Sequence, residues 1–553
     1  MTKSSLGLPR HRTAGQQARP GGAVLVGFQD QGNLGMGYLA ANLAHFEHPV
    51  ELIEFRDPFE SILARINQTD PVVVGFSLIF QYYLPEYRLL AQQLRAAGVR
   101  AHFTMGGHYP SLCPDEVLSA MPELDSVALY EGEFTLVELT AVLRLNEDWH
   151  QVPGLAYLER GAVIETPTRP LAEHLDDLPL PMRLGEPERV LGWPTLPLLA
   201  SRGCARRCSF CSIHTFYRGA PGRTVRVRAP AKVAEEMEML AEQHGVRVFL
   251  FQDDDFPLAG GPGKRWVAEL CEEIIRRGLH EKCIWKISCR AEYIEPELFS
   301  TLRRAGLYLV YLGLESGSEE GLEILNKNIS VDTNNQAVRI LKSLDLLVEY
   351  GFMLFDPSST FESVRENIGF LRSMLDDGSG GAVFCRMLPY GGTPIRDRLR
   401  DEGRLRGDVK YPDYDFLDPR LNQYHELLNT AVGPWIHGDG LSHQFNWAWH
   451  EVFIVRRLVG ELPGLQTYEQ HLAELTRASN AVLFDFVEQT SLAFEHGDSP
   501  MLLQHGLSAP RTDIGGALLD LRNGFVASNQ DALMHALTTP DGIYGPALMP
   551  QVF

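Results

Sequence analysis

The sequence predicts an α/β protein: a doubly wound parallel Rossmann-like sheet, then a partial (β/α)6 TIM-like barrel, then a mainly helical C-terminal region. Three observations predict it. Short apolar strands alternate with helical stretches over residues 22–148 and again from Leu196 to Gly407, the pattern of parallel sheets covered on both faces. A segment rich in Pro and Leu separates the two runs. Beyond Gly407 the alternation stops and helical, irregular sequence follows.

Each element follows from its residues. Residues 1–20 are polar and basic (Lys3, Arg10, Arg12, Arg19) and lack the apolar run of a signal peptide, so a disordered tail is expected. The first domain is expected over 21–149. Its strands are 22–28 (GAVLVGF), 50–55, 71–77 (PVVVGFS), 100–105 and 125–130. A glycine-bearing turn runs from Asp30 to Gly37 and a helix from Tyr38 to Phe46. In open sheets of this kind ligands sit outside the carboxyl ends of the strands, so the turns after the first, third and fourth strands are the places to look. Residues 150–195 read as a linker. Residues 196–407 carry six or so strand–helix units, and such barrels also place chemistry at the carboxyl ends of their strands. Residues 408–553 form a helical domain with an aromatic cluster at Phe445, Trp447 and Trp449.

A length of 553 residues with 44% hydrophobic content suits about three domains with cores of their own. A net charge of −21 argues against nucleic acid as a partner, because phosphate affinity comes mainly from Lys and Arg. The sequence offers no membrane span. The eight cysteines do not form a secreted disulfide pattern, which points to a reducing compartment, the cytoplasm.

Three of those cysteines stand within eight residues, in Ser201-Arg-Gly-Cys204-Ala-Arg-Arg-Cys208-Ser-Phe-Cys211. Three thiolates can ligate three irons of a 4Fe–4S cube and leave the fourth iron open to a chelating amino acid group. Two other readings stand beside this one. One is a zinc site closed by His214, and the other is three thiols on one helix face. Arg202, Arg206, Arg207 and Arg218 make the loop electropositive, which favours thiolate. Cys271, Cys283, Cys289 and Cys385 read as core thiols.

The spacing CxxxCxxC, with Phe210 just before the last cysteine, resembles the signature of the radical S-adenosylmethionine superfamily. Five further segments resemble its strand-end motifs in order: Phe251 to Phe256, Ser288-Cys-Arg290, Gly313 to Ser318 with Lys327 downstream, Gly351 to Thr360, and Leu388 to Pro394. The resemblance implies that Cys204, Cys208 and Cys211 hold a 4Fe–4S cluster. It implies S-adenosylmethionine contacts at Phe210, Asp253, Asp254, Arg290, Glu315, Ser316 and Pro389. Phe355-Asp356 departs from the family pattern, where a Gly-apolar pair is common. On residue type alone, the aspartates of 253–255 also read as helix caps, Glu315 as a solvated turn and Arg290 as a structural ion pair.

Residues 22–148 resemble a cobalamin-binding domain through Asn33, Gly35, Ser77, Leu78, Gly106, Gly107, Glu131, Gly132 and Glu133, with glycines letting backbone approach a flat macrocycle. The familiar DxHxxG motif is altered: Asp30-Gln31-Gly32 puts glycine where the cobalt-ligating histidine stands, so cobalamin without a histidine lower ligand is implied. The turn Leu78 to Tyr82 then faces the lower side of cobalt, and His108 reads as a loop contact.

Together these imply a radical enzyme that cleaves S-adenosylmethionine to a 5′-deoxyadenosyl radical. The outcome expected is cobalamin-dependent methyl transfer to an unactivated carbon, or a phosphinate phosphorus, of a natural-product intermediate or peptide. An electron donor such as flavodoxin or ferredoxin is implied. The alternatives are a cyclase, oxidase or rearrangement enzyme on the same scaffold. A redox or corrinoid sensor, with Phe445 to Trp449 and the histidines His437, His443 and His450 as a partner face, is a further one.

Overall fold

The computed structural model describes residues 21–29, 33–497 and 507–537. The expected tail, residues 1–20, and the turn residues Asp30, Gln31 and Gly32 lie outside the described residues. The chain forms two compact units, interleaved in sequence. Of the described residues, one comprises those from 21 to 186 with 201–229 and 389–413; the other comprises 187–200, 230–388 and those from 414 to 537.

The first unit is built on β1 (Ala23–Gly27), α1 (Leu34–His45), β2 (Val50–Glu54), α2 (Phe59–Thr69), β3 (Val73–Ser77), α3 (Leu84–Ala96) and β4 (His102–Gly106). It continues through α4 (His108–Leu112), α5 (Pro114–Ala120), β5 (Ser126–Ala128), α6 (Glu133–Arg144), β6 (Leu155–Glu159) and β7 (Ala162–Glu165). The sheet order is β2-β1-β3-β4-β5-β6-β7. Strands β1 to β5 are parallel. Ala23–Gly27 is buried at every position, as expected of a parallel strand covered on both faces.

Two expectations need correction here. The linker 150–195 is not bare: β6 and β7 add an antiparallel hairpin to the edge of the sheet. Its strands are half-exposed, so they lack the apolar run by which the others were read. The first helix also begins earlier than Tyr38, at Leu34. Asn33 caps it, its Oδ1 accepting from the Met36 N–H at 3.1 Å while its Nδ2 donates to the Phe28 carbonyl at 2.6 Å. Asn33→Ala removes both bonds and is expected to cost about 1 kcal/mol, read as a lower urea midpoint.

The first unit also holds β10 (Ser201–Arg202), α7 (Ile213–Arg218), β11 (Arg226–Val227) and α14 (Pro394–Asp401). The second unit holds β8 (Glu188–Val190), β9 (Trp193–Leu198), α8 (Pro230–Gln243), β12 (Val248–Phe251), α9 (Gly260–Arg276), β13 (Ile284–Arg290) and α10 (Pro296–Arg304). It continues with β14 (Leu307–Glu315), α11 (Glu319–Ile324), α12 (Val331–Ser343), β15 (Leu347–Phe355), α13 (Phe361–Met374) and β16 (Cys385–Arg386). Its sheet order is β16-β15-β14-β13-β12-β9-β8. Six strands are parallel, from β9 through β12 to β16, and β8 is antiparallel to β9. This is the expected partial barrel.

Helices α15 (Pro419–Ile436), α16 (Leu441–Ile454), α17 (Leu465–His496) and α18 (Ser508–Ser528) complete the second unit. They satisfy the backbone beside the edge strand β16. The Asn480 amide accepts from the Ala382 N–H and donates to the Gly380 carbonyl, both at 2.9 Å, and Asn446 accepts from the Gly381 N–H at 2.7 Å. A buried strand approach without partners is unfavourable, so these amides stand where a further strand would. Phe445 and Trp449 are buried. They are core, not the partner face of the sensor alternative.

Candidate active site

Two short strands set up the cysteine loop in the first unit. β10 pairs antiparallel with β11, Arg202 opposite Arg226. Gly203 follows with φ 88°, and a Cβ there would overlap the Thr224 carbonyl oxygen. Only glycine suits this exit from the strand into Cys204. Cys204 and Cys211 are half-buried, Cys208 is buried, and none of the eight cysteines is in a disulfide. Phe210 is half-buried beside them. The Arg206 N–H donates to the Cys204 Sγ at 3.4 Å, a bond that favours thiolate over thiol. The Ile395 N–H donates to the Ser209 carbonyl at 3.0 Å and holds the loop's middle.

The arrangement bears first on the helix-face reading of the triplet. The three cysteines precede α7, which starts at Ile213, so they do not share a helix face. Among the described residues no three His, Cys, Asp or Glu side chains converge closely enough for one metal ion. Thiolates on three separate irons of a cube stand wider apart than ligands of a single ion. Burial lowers the His214 pKa and the charges of Arg218 and Arg207 add to this, against the backbone bond at Cys211, so the imidazole is held neutral.

Arg202, read as part of the loop's positive charge, has another task. It meets Glu131 Oε1 at 3.0 Å and Glu133 Oε1 at 2.7 Å, while Arg226 meets Glu131 Oε2 at 2.8 Å. The Ala172 N–H also donates to Glu131 at 2.9 Å. The carboxylates expected at cobalamin are thereby engaged by the strand pair that carries the cysteines. No spacing in the sequence signals this, since Glu131 and Arg226 are 95 residues apart.

The remaining expected cobalamin positions lie at the carboxyl ends of the first sheet. Ser77 ends β3, Gly106 ends β4, and Gly107 and Gly132 follow in turns. Gly35 is exposed in the first turn of α1. A Cβ on Gly107, at φ 118°, would overlap the Leu78 carbonyl oxygen, so these two turns are in backbone contact. Leu78 itself departs from expectation. Its N–H continues the ladder to the Gly106 carbonyl at 2.8 Å and its side chain is buried in the core. Ile79 faces outward instead, 44% exposed, followed by the stacked rings of Phe80 and Tyr82. Exposed Ile79 and the rings after it give this end of the sheet apolar surface, while the Gly107 position is occupied from within by the Leu78 backbone. His108 packs its ring on Phe216 at 4.4 Å, the loop contact expected of it. A cleft of about 1020 Å³ opens at the other end of this sheet, around His102, Asp125 and Trp149, away from all of these turns.

In the second unit Asp253, Arg290 and Glu315 stand at the ends of β12, β13 and β14. Asp253 is buried and accepts from the Ala200 N–H at 3.3 Å, while Asp254 is exposed. Neither caps a helix, because α9 starts at Gly260 with Ala259 at its cap. Arg290 is buried between Glu292, at 2.6 Å, and the Lys327 carbonyl, so the ion-pair reading applies to it. Glu315 is not a solvated turn. It is buried with φ 66° and receives the Lys327 ammonium at 3.0 Å. The left-handed backbone at this strand end is held in place by the buried ion pair. Lys327 thus ties Arg290 to Glu315, a hub the sequence placed downstream without its partners. A Cβ at Gly313 would lie 2.6 Å from Glu315 Oε1, and one at the paired Gly351 2.8 Å from Tyr311 Oη, so both positions keep space beside this pair. Ser316 is fully buried, with its hydroxyl on Asn367 at 3.0 Å. Asp356 accepts from the Ser358 N–H and hydroxyl, which makes the atypical Phe355-Asp356 a tight turn. Pro389 belongs to the first unit.

Known proteins agree with this layout. The family model of the radical SAM superfamily matches residues 198–371, and that of the B12 binding domain matches residues 22–140. The anaerobic magnesium-protoporphyrin IX monomethyl ester cyclase of Cereibacter sphaeroides is 28% identical over 379 residues, 65% of this chain. The matched region spans 58% of the cyclase. An uncharacterized methyltransferase of Pyrococcus horikoshii is 28% identical over 398 residues, 71% of this chain and 83% of the relative. Among solved structures, the cobalamin-dependent S-adenosylmethionine radical enzyme OxsB, with aqua-cobalamin and S-adenosylmethionine bound, matches 93% of this chain and 82% of its own. The TM-score is 0.65 at 17% identity, which is a likeness of fold.

Proposed function

Since this chain belongs to the cobalamin-dependent radical S-adenosylmethionine enzymes, with a B12-binding domain ahead of a radical SAM domain, we propose that it methylates an unactivated carbon or a phosphinate phosphorus. The acceptor is a natural-product intermediate or peptide. The observation that carries the reading is a parallel sheet of the B12-binding kind, with glycine turns after its fourth and fifth strands, in the same unit as the cysteine loop. When bound, the cluster with S-adenosylmethionine supplies a 5′-deoxyadenosyl radical, and cobalamin supplies a methyl carrier. The chain's own residues position and protect. Cys204, Cys208 and Cys211 ligate, Arg206 stabilises the first thiolate, and the Glu131–Arg202–Arg226 set holds the strand before the loop. Asp253, Glu315 and Lys327 offer buried charge at the strand ends for the amino acid and ribose parts of S-adenosylmethionine. Electrons come from a small donor of the flavodoxin or ferredoxin kind.

Anaerobically purified, reconstituted protein tests this. The expected result is corrinoid and iron–sulfur absorbance together, with both 5′-deoxyadenosine and S-adenosylhomocysteine among the products. Corrinoid-free protein that yields 5′-deoxyadenosine alone overturns methyl transfer. It would favour cyclisation or oxidation, the chemistry in the name of the 28% identical cyclase.

A further inference from the structure

The central strands of the second sheet are closed on their helix side and open on the other. Ile287, Leu312 and Leu354 have no exposure at all. The alternate residues Ser288, Tyr311, Gly313, Glu349, Gly351 and, on β16, Cys385 keep partial exposure in the middle of the same strands. Register places them on one face: Ser288 pairs with Tyr311, Tyr311 with Glu349, and Gly313 with Gly351. A buried strand centre that water still touches on every second residue borders a hollow.

The deep end of that hollow is charged. Lys286 lies two residues before Ser288 and so on the same face, nine-tenths buried. Among the described residues it makes no hydrogen bond and no ion pair, although Glu349 is near enough to act on its charge. Glu349 is committed elsewhere, with its Oε1 2.5 Å from His450 Nε2 on α16. His443 on the same helix also acts on Glu349, and the buried Tyr308 ring stands 6.3 Å from that of His450. The carboxylate is thus bonded to His450 and acts on the ammonium only through space. A buried ammonium with no bonded counter-ion is costly, and an anionic oxygen is the group that relieves it best.

We propose that this hollow is the substrate chamber and that Lys286 receives an anionic oxygen, carboxylate or phosphoryl, at the end of the substrate remote from the reacting atom. This deepens the reading above and rests on it. Four residues separate Lys286 from Arg290 at the strand end, so the anionic group lies about 13 Å below the site of chemistry. A short, uncharged acceptor does not fit this arrangement.

The full-length, anaerobically reconstituted enzyme is titrated calorimetrically with acetate and with inorganic phosphate, and with methylammonium as control. Saturable binding of at least one anion is expected, and which anion binds separates carboxylate from phosphoryl. Lys286→Met should weaken that binding at least about tenfold, while Lys286→Arg keeps most of it. Glu349→Gln, which removes a negative charge facing Lys286, should tighten it and carries the comparison if Lys286→Met does not fold. Isotherms indifferent to Lys286, or no anion binding at all, overturn the site and leave the radical SAM reading standing. Absence of 5′-deoxyadenosine from the wild type in the same preparation sinks that reading and leaves the anion result intact.

Discussion

Cys208→Ala is expected to bring bound iron close to zero after reconstitution and to lower 5′-deoxyadenosine formation by at least about a thousandfold. The reason is geometric. Cys208 is the buried member of the triplet, and two successive carbonyls hold the backbone there: its own accepts from the Cys211 N–H at 3.3 Å, and that of Ser209 from the Ile395 N–H. Three ligands hold three corners of a cube, and with two the cluster has no fixed orientation and no defined open iron. Cys271→Ala is the control. That thiol is buried in the second unit, and burial pushes its pKa up to about 12, which disfavours the thiolate a metal needs. Its loss should leave iron content untouched. Iron and acid-labile sulfide assays decide both cases, and full iron retention in Cys208→Ala removes the cluster from this loop.

The same contrast shows what the sequence made legible. Cys204, Cys208 and Cys211 are neighbours in the chain, so their meeting needs no tertiary knowledge. The apolar runs of β1 and β3 were readable because parallel strands buried on both faces leave little polar alternation, and the barrel strands because each is followed by a helical stretch. The hairpin β6–β7 was not, because its half-exposed strands lack that run. Leu78 and Ile79 were read together as one ligand-facing turn, yet a strand's period of two sends one inward and the other outward. The pairs that matter most join distant residues: Arg226 with Glu131, Lys327 with Glu315, His450 with Glu349 across 101 positions. Charge alone leaves each residue with many possible partners, and only the fold chooses among them.

Glu131→Gln is expected to destabilise the first unit by about 3 kcal/mol at neutral pH, because removing one member of a buried ion-pair set leaves the others uncompensated. Arg226 has its carboxylate partner in Glu131, and Arg202 keeps only Glu133. Glu133→Gln should cost less, since Glu131 still serves both arginines. The effect must also depend on pH. Burial alone would raise the Glu131 pKa, but the charges of Arg202 and Arg226 and the bond from the Ala172 N–H hold it well below the ordinary value of 4.5. As pH falls the unfolded chain therefore takes up this proton first. The stabilisation is full above 4.5 and disappears as pH drops through the lower folded value. Urea midpoints of wild type and Glu131→Gln should be far apart at pH 7, begin to approach below pH 4.5 and meet only near pH 2. A gap that stays constant over that range would assign the loss to packing instead of charge. Arg202 stands two residues before Cys204, so the same substitution should also speed iron loss to a chelator at neutral pH, and Cys271→Ala should not.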